Sequence, residues 1–292
     1  MSADRKAPLS EHLNELAKRL KVVFYSLIAT TIVIMALPGD LNSLANPFAF
    51  YTPLVSIVFK RVTHDVMPPQ FVLVGYTVGS PIELYLLGSF VIAVLINIPI
   101  IAYEVYRYVN PALYQNEKQA VGPFVVSFTT LFAVGATFGY LILAPFTMYA
   151  MIPFFAAVGA QPYISVNDFY GVVFAIVLMS GITFTFPVFL VLLVKLKIMS
   201  ITVVTKNRRY IYGALLVVTA VITPDGGPIA DFALFIPLLF LFELAILFAK
   251  RYETEGLPTT IKWLQPEAKC RFCGSEMTRN EKFCRRCGRS QG

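Results

Sequence analysis

The chain has 292 residues, 57% of them hydrophobic and 14% charged, and its mean hydropathy is +0.69. A soluble domain carries about 25% charged residues, so this composition excludes an ordinary soluble protein and indicates a polytopic membrane protein. Lys and Arg number 24 against 17 Asp and Glu; in a membrane protein that excess belongs to loops on one face of the bilayer, and nucleic acid is not expected as a partner.

The first element is LSEHLNELAKRL, Leu9 to Leu20. Leu9, Leu13, Leu16 and Leu20 fall at i, i+4, i+7 and i+11, one stripe of a helix, and Glu11, Asn14, Glu15, Lys18 and Arg19 occupy its other faces. Ser10 or the preceding Pro8 can start the helix. Glu15 and Arg19 are an i, i+4 pair in the favourable orientation. The element reads either as an interfacial anchor with a solvated charged face or as a binding surface. It is not a cleavable signal peptide, because the apolar run behind it is long enough to span.

A span needs about 20 apolar residues, and six stretches are predicted. They run roughly from Val22 to Leu37, Ile82 to Tyr106, Gly122 to Pro145, Phe169 to Leu196, Tyr210 to Thr223 and Phe232 to Ala249. Tyr210 to Thr223 is short: about 21 Å against about 30 Å of hydrocarbon. Either the bilayer thins there or one end is displaced by a turn. Every Lys and Arg except Lys60 and Arg61 falls in the N-terminal segment, the second and fourth connections or the tail. Both termini are therefore expected in the cytoplasm.

The first outer loop, about Pro38 to Pro81, contains NPFAFYTPLVSIVFKRV, a helix lying on the outer surface or packed on the bundle. FVLVGYTV, Phe71 to Val78, reads as a short β-like segment. The second outer loop runs from about Thr147 to Asp168, and TPDGGPI forms a tight third one through Pro224, Gly226, Gly227 and Pro228. Pro99, Pro145, Pro187 and Pro237 are expected to kink or break helices.

Ionisable groups at membrane depth are functional candidates by default. Glu104 lies three residues before Arg107, which suits a local ion pair. Glu243 has no basic residue within one turn and is expected to face the bundle or a partner. Glu83 and Asp231 lie near outer ends and reach water, and His64 stands alone in the outer loop.

The composition changes after Arg251. The chain divides into a six-span domain over 1–251, a polar linker over 252–269 and a small module over 270–292. The module holds all four cysteines, as Cys270-x2-Cys273 and Cys284-x2-Cys287, each pair followed by a glycine, Gly274 or Gly288. Two CxxC turns can supply four thiolates tetrahedrally to one structural zinc ion. Rubredoxin-like iron and a redox dithiol are the alternatives, and disulfides do not suit a reducing cytoplasm. So small a module builds little core, so bound metal would supply its folding energy. Arg271, Arg279, Lys282, Arg285, Arg286 and Arg289 make it basic, which suits anionic lipid, an acidic partner or plain solvation.

Four stretches in order resemble one family. HLNELAKRL (His12 to Leu20) is similar to the HLxELRxRL opening of the TatC family. NPALYQNEK (Asn110 to Lys118) resembles that family's cytoplasmic loop, FVVSFTTLFAVGATFGYLILAPF (Phe124 to Phe146) its third span, and ITPDGGPIADFALFIPLLFLFEL (Ile222 to Leu244) its last turn and sixth span. The resemblance covers about residues 9 to 252. It implies an all-α, concave six-helix bundle in the cell membrane that is no enzyme. The function implied is that of the core receptor subunit of the twin-arginine protein translocase, exporting folded proteins on the proton-motive force. The implied partners are the signal peptides of that cargo and TatA-like and TatB-like single-span subunits in a homo- or hetero-oligomer. The implied signal-peptide carboxylates are Glu15 and Glu117. A guanidinium meets a carboxylate through two parallel hydrogen bonds, which suits that role.

The chain departs from the family at three places. Ala17 stands where many members have arginine, Thr185 where members often carry a buried Glu or Gln, and the zinc-ribbon-like tail is not ordinarily present. A small-solute transporter with a zinc-bound regulatory tail is the competing function; it would show internal repeats and broken-helix sites, and no convincing repeat is found. An intramembrane enzyme would need a nucleophile–base pair or metal ligands at depth, and no His or Cys lies within a predicted span.

Overall fold

The structure is a computed structural model that describes residues 9–39, 53–109, 121–195, 199–222, 228–254, 268–269, 273, 276–277 and 287. The chain forms two compact units, Met1–Lys250 and Arg251–Gly292. In hydrocarbon a helix satisfies every backbone group internally, and the first unit is accordingly helical. Its elements are α1 (Leu9–Ala36), α2 (Leu54–Val66), β1 (Val72–Val74), α3 (Ser80–Val109), α4 (Val121–Phe138), a π-helical segment (Gly139–Leu143), α5 (Ala144–Val158), β2 (Tyr163–Ser165), α6 (Val166–Lys195), α7 (Ile201–Lys206), α8 (Arg208–Ile222) and α9 (Pro228–Thr254).

Among the described residues five stretches are long and apolar enough to cross a bilayer: 13–36, 80–108, 122–158, 166–195 and 231–250. The sixth, α8, has 15 residues, so at about 1.5 Å per residue it is about 22 Å long. Its N-terminal limit is set by Asn207, whose carbonyl accepts from Tyr210 and Ile211 and separates α8 from α7. The chain thus has five to six candidate spans, and the described part of the penultimate one is short.

α1 lies antiparallel against α3. Asn97, fully buried on α3, donates through Nδ2 to Thr30 Oγ1 at 2.9 Å and to the Ala93 carbonyl at 2.8 Å. α4 and α6 approach more closely still. Ser180 Oγ donates to the Gly135 carbonyl at 2.6 Å. A Cβ on Gly139 would stand 2.2 Å from Ser180 Oγ, one on Gly135 2.7 Å from the Ser180 carbonyl oxygen, and one on Gly181 2.9 Å from the Phe132 ring. Small residues let helix backbones touch where lipid offers no hydrophobic drive to association.

The third span differs from expectation. Pro145 does not end it, because the preceding turn widens: Ala144 N–H reaches the Gly139 carbonyl, an i+5 bond. A π turn is a common way to absorb such an irregularity. The helix runs on through α5 and stops only at Gly159, whose φ of 72° is left-handed. The second connection therefore starts a dozen or so residues later than its predicted Thr147. Pro99, Pro187 and Pro237 also lie inside unbroken helices.

The first connection forms the expected helix, α2, packed on the bundle. Val55 and Phe59 press on Gly88 of α3, where a Cβ would meet them at 2.6 and 2.7 Å. Tyr140, in the π segment, donates to Asp65 Oδ2 on α2 at 2.8 Å, and Arg61 Nε donates to the same oxygen at 2.9 Å. Hydrogen bonds from His64 and then Tyr140 hold the Asp65 carboxyl below the usual carboxylate range. The expected β-like segment is β1, and it pairs in parallel with β2 in the register Val72↔Tyr163, Leu73↔Ile164, Val74↔Ser165.

In the second unit, β3 (Ala268–Lys269) and β4 (Glu276–Met277) pair antiparallel as Ala268↔Met277 and Lys269↔Glu276. Cys273 and Cys287 each sit in an exposed turn. Cys270 and Cys284 lie outside the described residues.

The contact at Gly139 is testable. Gly139→Ala should destabilise the bundle by about 1–3 kcal/mol through overpacking. Ser180→Ala should cost about 1 kcal/mol for the lost hydrogen bond. The double variant should be more stable than the two costs added, because removing Oγ makes room for the new methyl. Thermal unfolding in detergent, followed by circular dichroism, measures all three; strict additivity would refute the contact.

Candidate functional site

The helical repeat of α1 sets Glu15 and Arg19 one above the other, and an Arg19 Nη2 to Glu15 Oε1 hydrogen bond joins them. The antiparallel packing of α3 then brings Glu104 to the other side of Arg19, with Nη1 3.6 Å from Glu104 Oε2. The second Glu104 oxygen, Oε1, is 3.9 Å from Arg107 Nη1. Arg107 also lies over the Tyr103 ring, 5.8 Å from its centroid. Carboxylate and guanidinium thus alternate across two helices: Glu15, Arg19, Glu104, Arg107.

Burial is graded along this row. The Glu104 and Arg19 side chains are 10% and 15% exposed, Glu15 is 34% and Arg107 55%. Arg19 is incompletely satisfied: Nε and Nη1 are buried with no hydrogen-bond acceptor among the described residues. The 3.6 Å approach to Glu104 is an ion pair and too long for a hydrogen bond. Leaving a buried donor unmatched costs about 1–3 kcal/mol. The stripe residues Leu13, Leu16 and Leu20 on the same helix are exposed, which fits an apolar face turned to lipid.

The expected local pair of Glu104 and Arg107 is present, but it is the weaker half of a network that includes Arg19. Sequence spacing could not show this, because Arg19 and Glu104 meet only through tertiary packing. The expected Glu15–Arg19 pair is found as anticipated. Ala17 is exposed and adds no charge to the row. Glu117 lies outside the described residues.

The other polar candidates have local partners. Thr185 is buried, and its hydroxyl donates to the Ile182 carbonyl of its own helix at 2.6 Å. Glu243 on α9 faces α8: its Oε2 is 3.5 Å from Arg208 Nη1, and its Oε1 accepts from Tyr212. Its cation therefore comes from the neighbouring helix. Glu83 accepts from Asn167 Nδ2 at 2.6 Å, and His64 Nδ1 is 3.0 Å from Asp65 Oδ1. Among the described residues no cluster of three or more metal-ligating side chains occurs.

Fold and site together define an all-helical, polytopic membrane protein whose paired carboxylates suit the binding of cations. The profile of the TatC family, Sec-independent protein translocase protein (TatC), matches residues 11–237. The TatC protein of Aquifex aeolicus (strain VF5) is 30% identical over 246 residues, 83% of this chain and 95% of that one. TatCy of Bacillus subtilis (strain 168) is 29% identical over 83% of this chain and 88% of that one. TatC of Escherichia coli (strain K12) is 29% identical over 88% and 93%. A crystal structure of the twin-arginine translocase receptor TatC superposes with a TM-score of 0.65 at 25% identity, covering 83% of this chain and 99% of that one. The chain belongs to the TatC family: it is a membrane subunit of the Sec-independent, twin-arginine protein translocase, a component of transport and not an enzyme. The cysteine-bearing tail lies beyond the matched profile.

Glu104 is the buried member of the row and should matter most to the fold. Glu104→Ala leaves the Arg19 guanidinium buried beside one carboxylate instead of two and should cost about 3–5 kcal/mol. Arg107→Ala, at a half-exposed position, should cost at most about 1 kcal/mol. Comparing the two melting temperatures in one detergent checks the order; equal losses would contradict it.

Proposed function

We propose that this TatC subunit receives twin-arginine signal peptides through Glu15 and Glu117, on the face of the membrane where both of its termini lie, the cytoplasm. The observation that carries the proposal is that Glu15 already holds a guanidinium, that of Arg19. A carboxylate placed to accept one arginine can accept another of identical chemistry. Two carboxylates answer two arginines, each through a planar fork that lysine lacks. TatA-like and TatB-like single-span subunits then assemble on the bundle in the cell membrane, and the proton-motive force drives the folded cargo across. Thr185 and Glu243 are second-rank candidates for partner contact; each is occupied by a neighbour within the bundle.

The tail is a separate module in this proposal, 270–292 behind a linker over 252–269, with one structural zinc held by Cys270, Cys273, Cys284 and Cys287. The CxxC spacing supports it, as does a strand that ends at Lys269, one residue before Cys270, and pairs with another beginning at Glu276. Four thiolates suit zinc, and the metal would supply folding energy that so few residues lack.

Two experiments test these assignments. Glu15→Ala and Glu117→Ala should each weaken binding of a labelled twin-arginine peptide by roughly 1.5–3 kcal/mol; normal affinity in both, at unchanged protein levels, would sink the site. Purified protein should hold close to one zinc per chain, and Cys270→Ser far less, with peptide binding retained. Zinc-free wild-type protein, prepared under reducing conditions, would refute the metal site.

A further inference from the structure

The row Glu15–Arg19–Glu104–Arg107 contains more than carboxylates waiting for a ligand: Arg19 already lies between two of them. We propose that Arg19 is the resting occupant of the receptor site, an internal stand-in for one signal-peptide arginine that must leave Glu15 before the peptide can take its place, and that Glu104 is the carboxylate that holds Arg19 back. This rests on the receptor assignment of Glu15 and deepens it.

Three features of the geometry carry the idea. The guanidinium of Arg19 engages Glu15 with one nitrogen only, Nη2, where a carboxylate can accept the whole fork. Its Nε and Nη1 are buried without an acceptor among the described residues, so the resting pair leaves donors unmatched. The second carboxylate, Glu104, is nine-tenths buried and lies 3.6 Å from Nη1, close enough to receive Arg19 as a full partner once Glu15 lets go. A small side-chain movement would turn that ion pair into a hydrogen bond. Of the two carboxylates Glu15, at 34%, is the more exposed and the one an incoming peptide can reach.

The exchange has a definite consequence for affinity. A site whose competent form is only partly populated binds with an apparent dissociation constant raised by that fraction. Removing the internal competitor should therefore tighten binding. Arg19→Gln keeps a polar side chain of similar length but removes the cation. It should bind a twin-arginine peptide about three- to tenfold more tightly than wild type, and still reject a peptide carrying two lysines. Unchanged or weaker binding by a variant that melts like wild type would overturn the proposal, because Arg19 would then be positioning Glu15 and not competing for it.

A measurement on wild-type protein keeps the proposal testable if Arg19→Gln does not fold. Phenylglyoxal modifies accessible guanidinium groups, and mass spectrometry reports the adduct at Arg19. Adding the twin-arginine peptide should lower Arg19 modification, because the displaced guanidinium passes to the buried Glu104 carboxylate, while the two-lysine peptide should not. A rise in Arg19 modification, or no change at a peptide concentration that saturates binding, would overturn the displacement. Wild-type protein that binds no twin-arginine peptide would remove the receptor assignment and this inference with it; normal wild-type binding with no gain in Arg19→Gln would remove this inference alone.

Discussion

The bundle depends on one close contact, that between α4 and α6. Membrane helices gain nothing from burying apolar surface against each other that lipid does not already provide. They need backbones near enough for dispersion and hydrogen bonds to count, and Gly135, Gly139 and Gly181 supply that approach around Ser180. The widened turn begins at Gly139, the residue with the least room, so the irregularity starts where the helix is clamped. From that turn Tyr140 reaches Asp65 on α2. α2 in turn presses Val55 and Phe59 onto Gly88 of α3. A single line of tight contacts thus links α6, α4, α2 and α3.

α3 is the wall on which both ends of the unit are organised. Near the start of α3 it receives α2; in the middle Asn97 bonds Thr30 of α1; toward the other end Glu104 faces Arg19. Asn97 and Glu104, two buried polar groups on this wall, each meet a group on a different helix, which fixes register in a way that interchangeable leucines cannot. α1 itself is lightly held: Leu13, Leu20, Phe24, Tyr25 and Ile32 are all exposed. The charged row therefore joins a well-anchored carboxylate, Glu104, to a pair on a peripheral helix, Glu15 and Arg19.

Much of this was legible in the sequence, and the rest was hidden for specific reasons. Hydropathy located the spans, and β-like patterning located β1, because both signals are local. Glu15 and Arg19 were legible as a pair because the helical period alone makes them neighbours. Glu104 with Arg19, and Glu243 with Arg208, were not, since each pair joins residues on different helices. The α4–α6 seam had a signal that passed unread: Gly135-x3-Gly139 in one span and Ser180-Gly181 in another are the small-residue spacing of close helix contacts. Pro145 misled because proline is treated as a helix terminator, whereas a π turn just before it lets the ladder resume. Thr185 gave no warning that its hydroxyl would be used up by its own backbone.

The graded burial of the charged row also bears on why a receptor would carry an internal cation. An unpaired carboxylate as buried as Glu104 is costly, so a site built only of carboxylates would be unstable whenever no cargo was present. Arg19 and Arg107 remove that problem by neutralising Glu104 in the resting protein. In the proposed exchange Glu15 keeps one guanidinium partner throughout, while Arg19 stays in the row on Glu104. In that exchange, an incoming group competes with a guanidinium that is already in place beside Glu15. An ammonium has the charge to compete but not the planar pair of donors, so on that proposal a resident arginine would favour an arginine over a lysine.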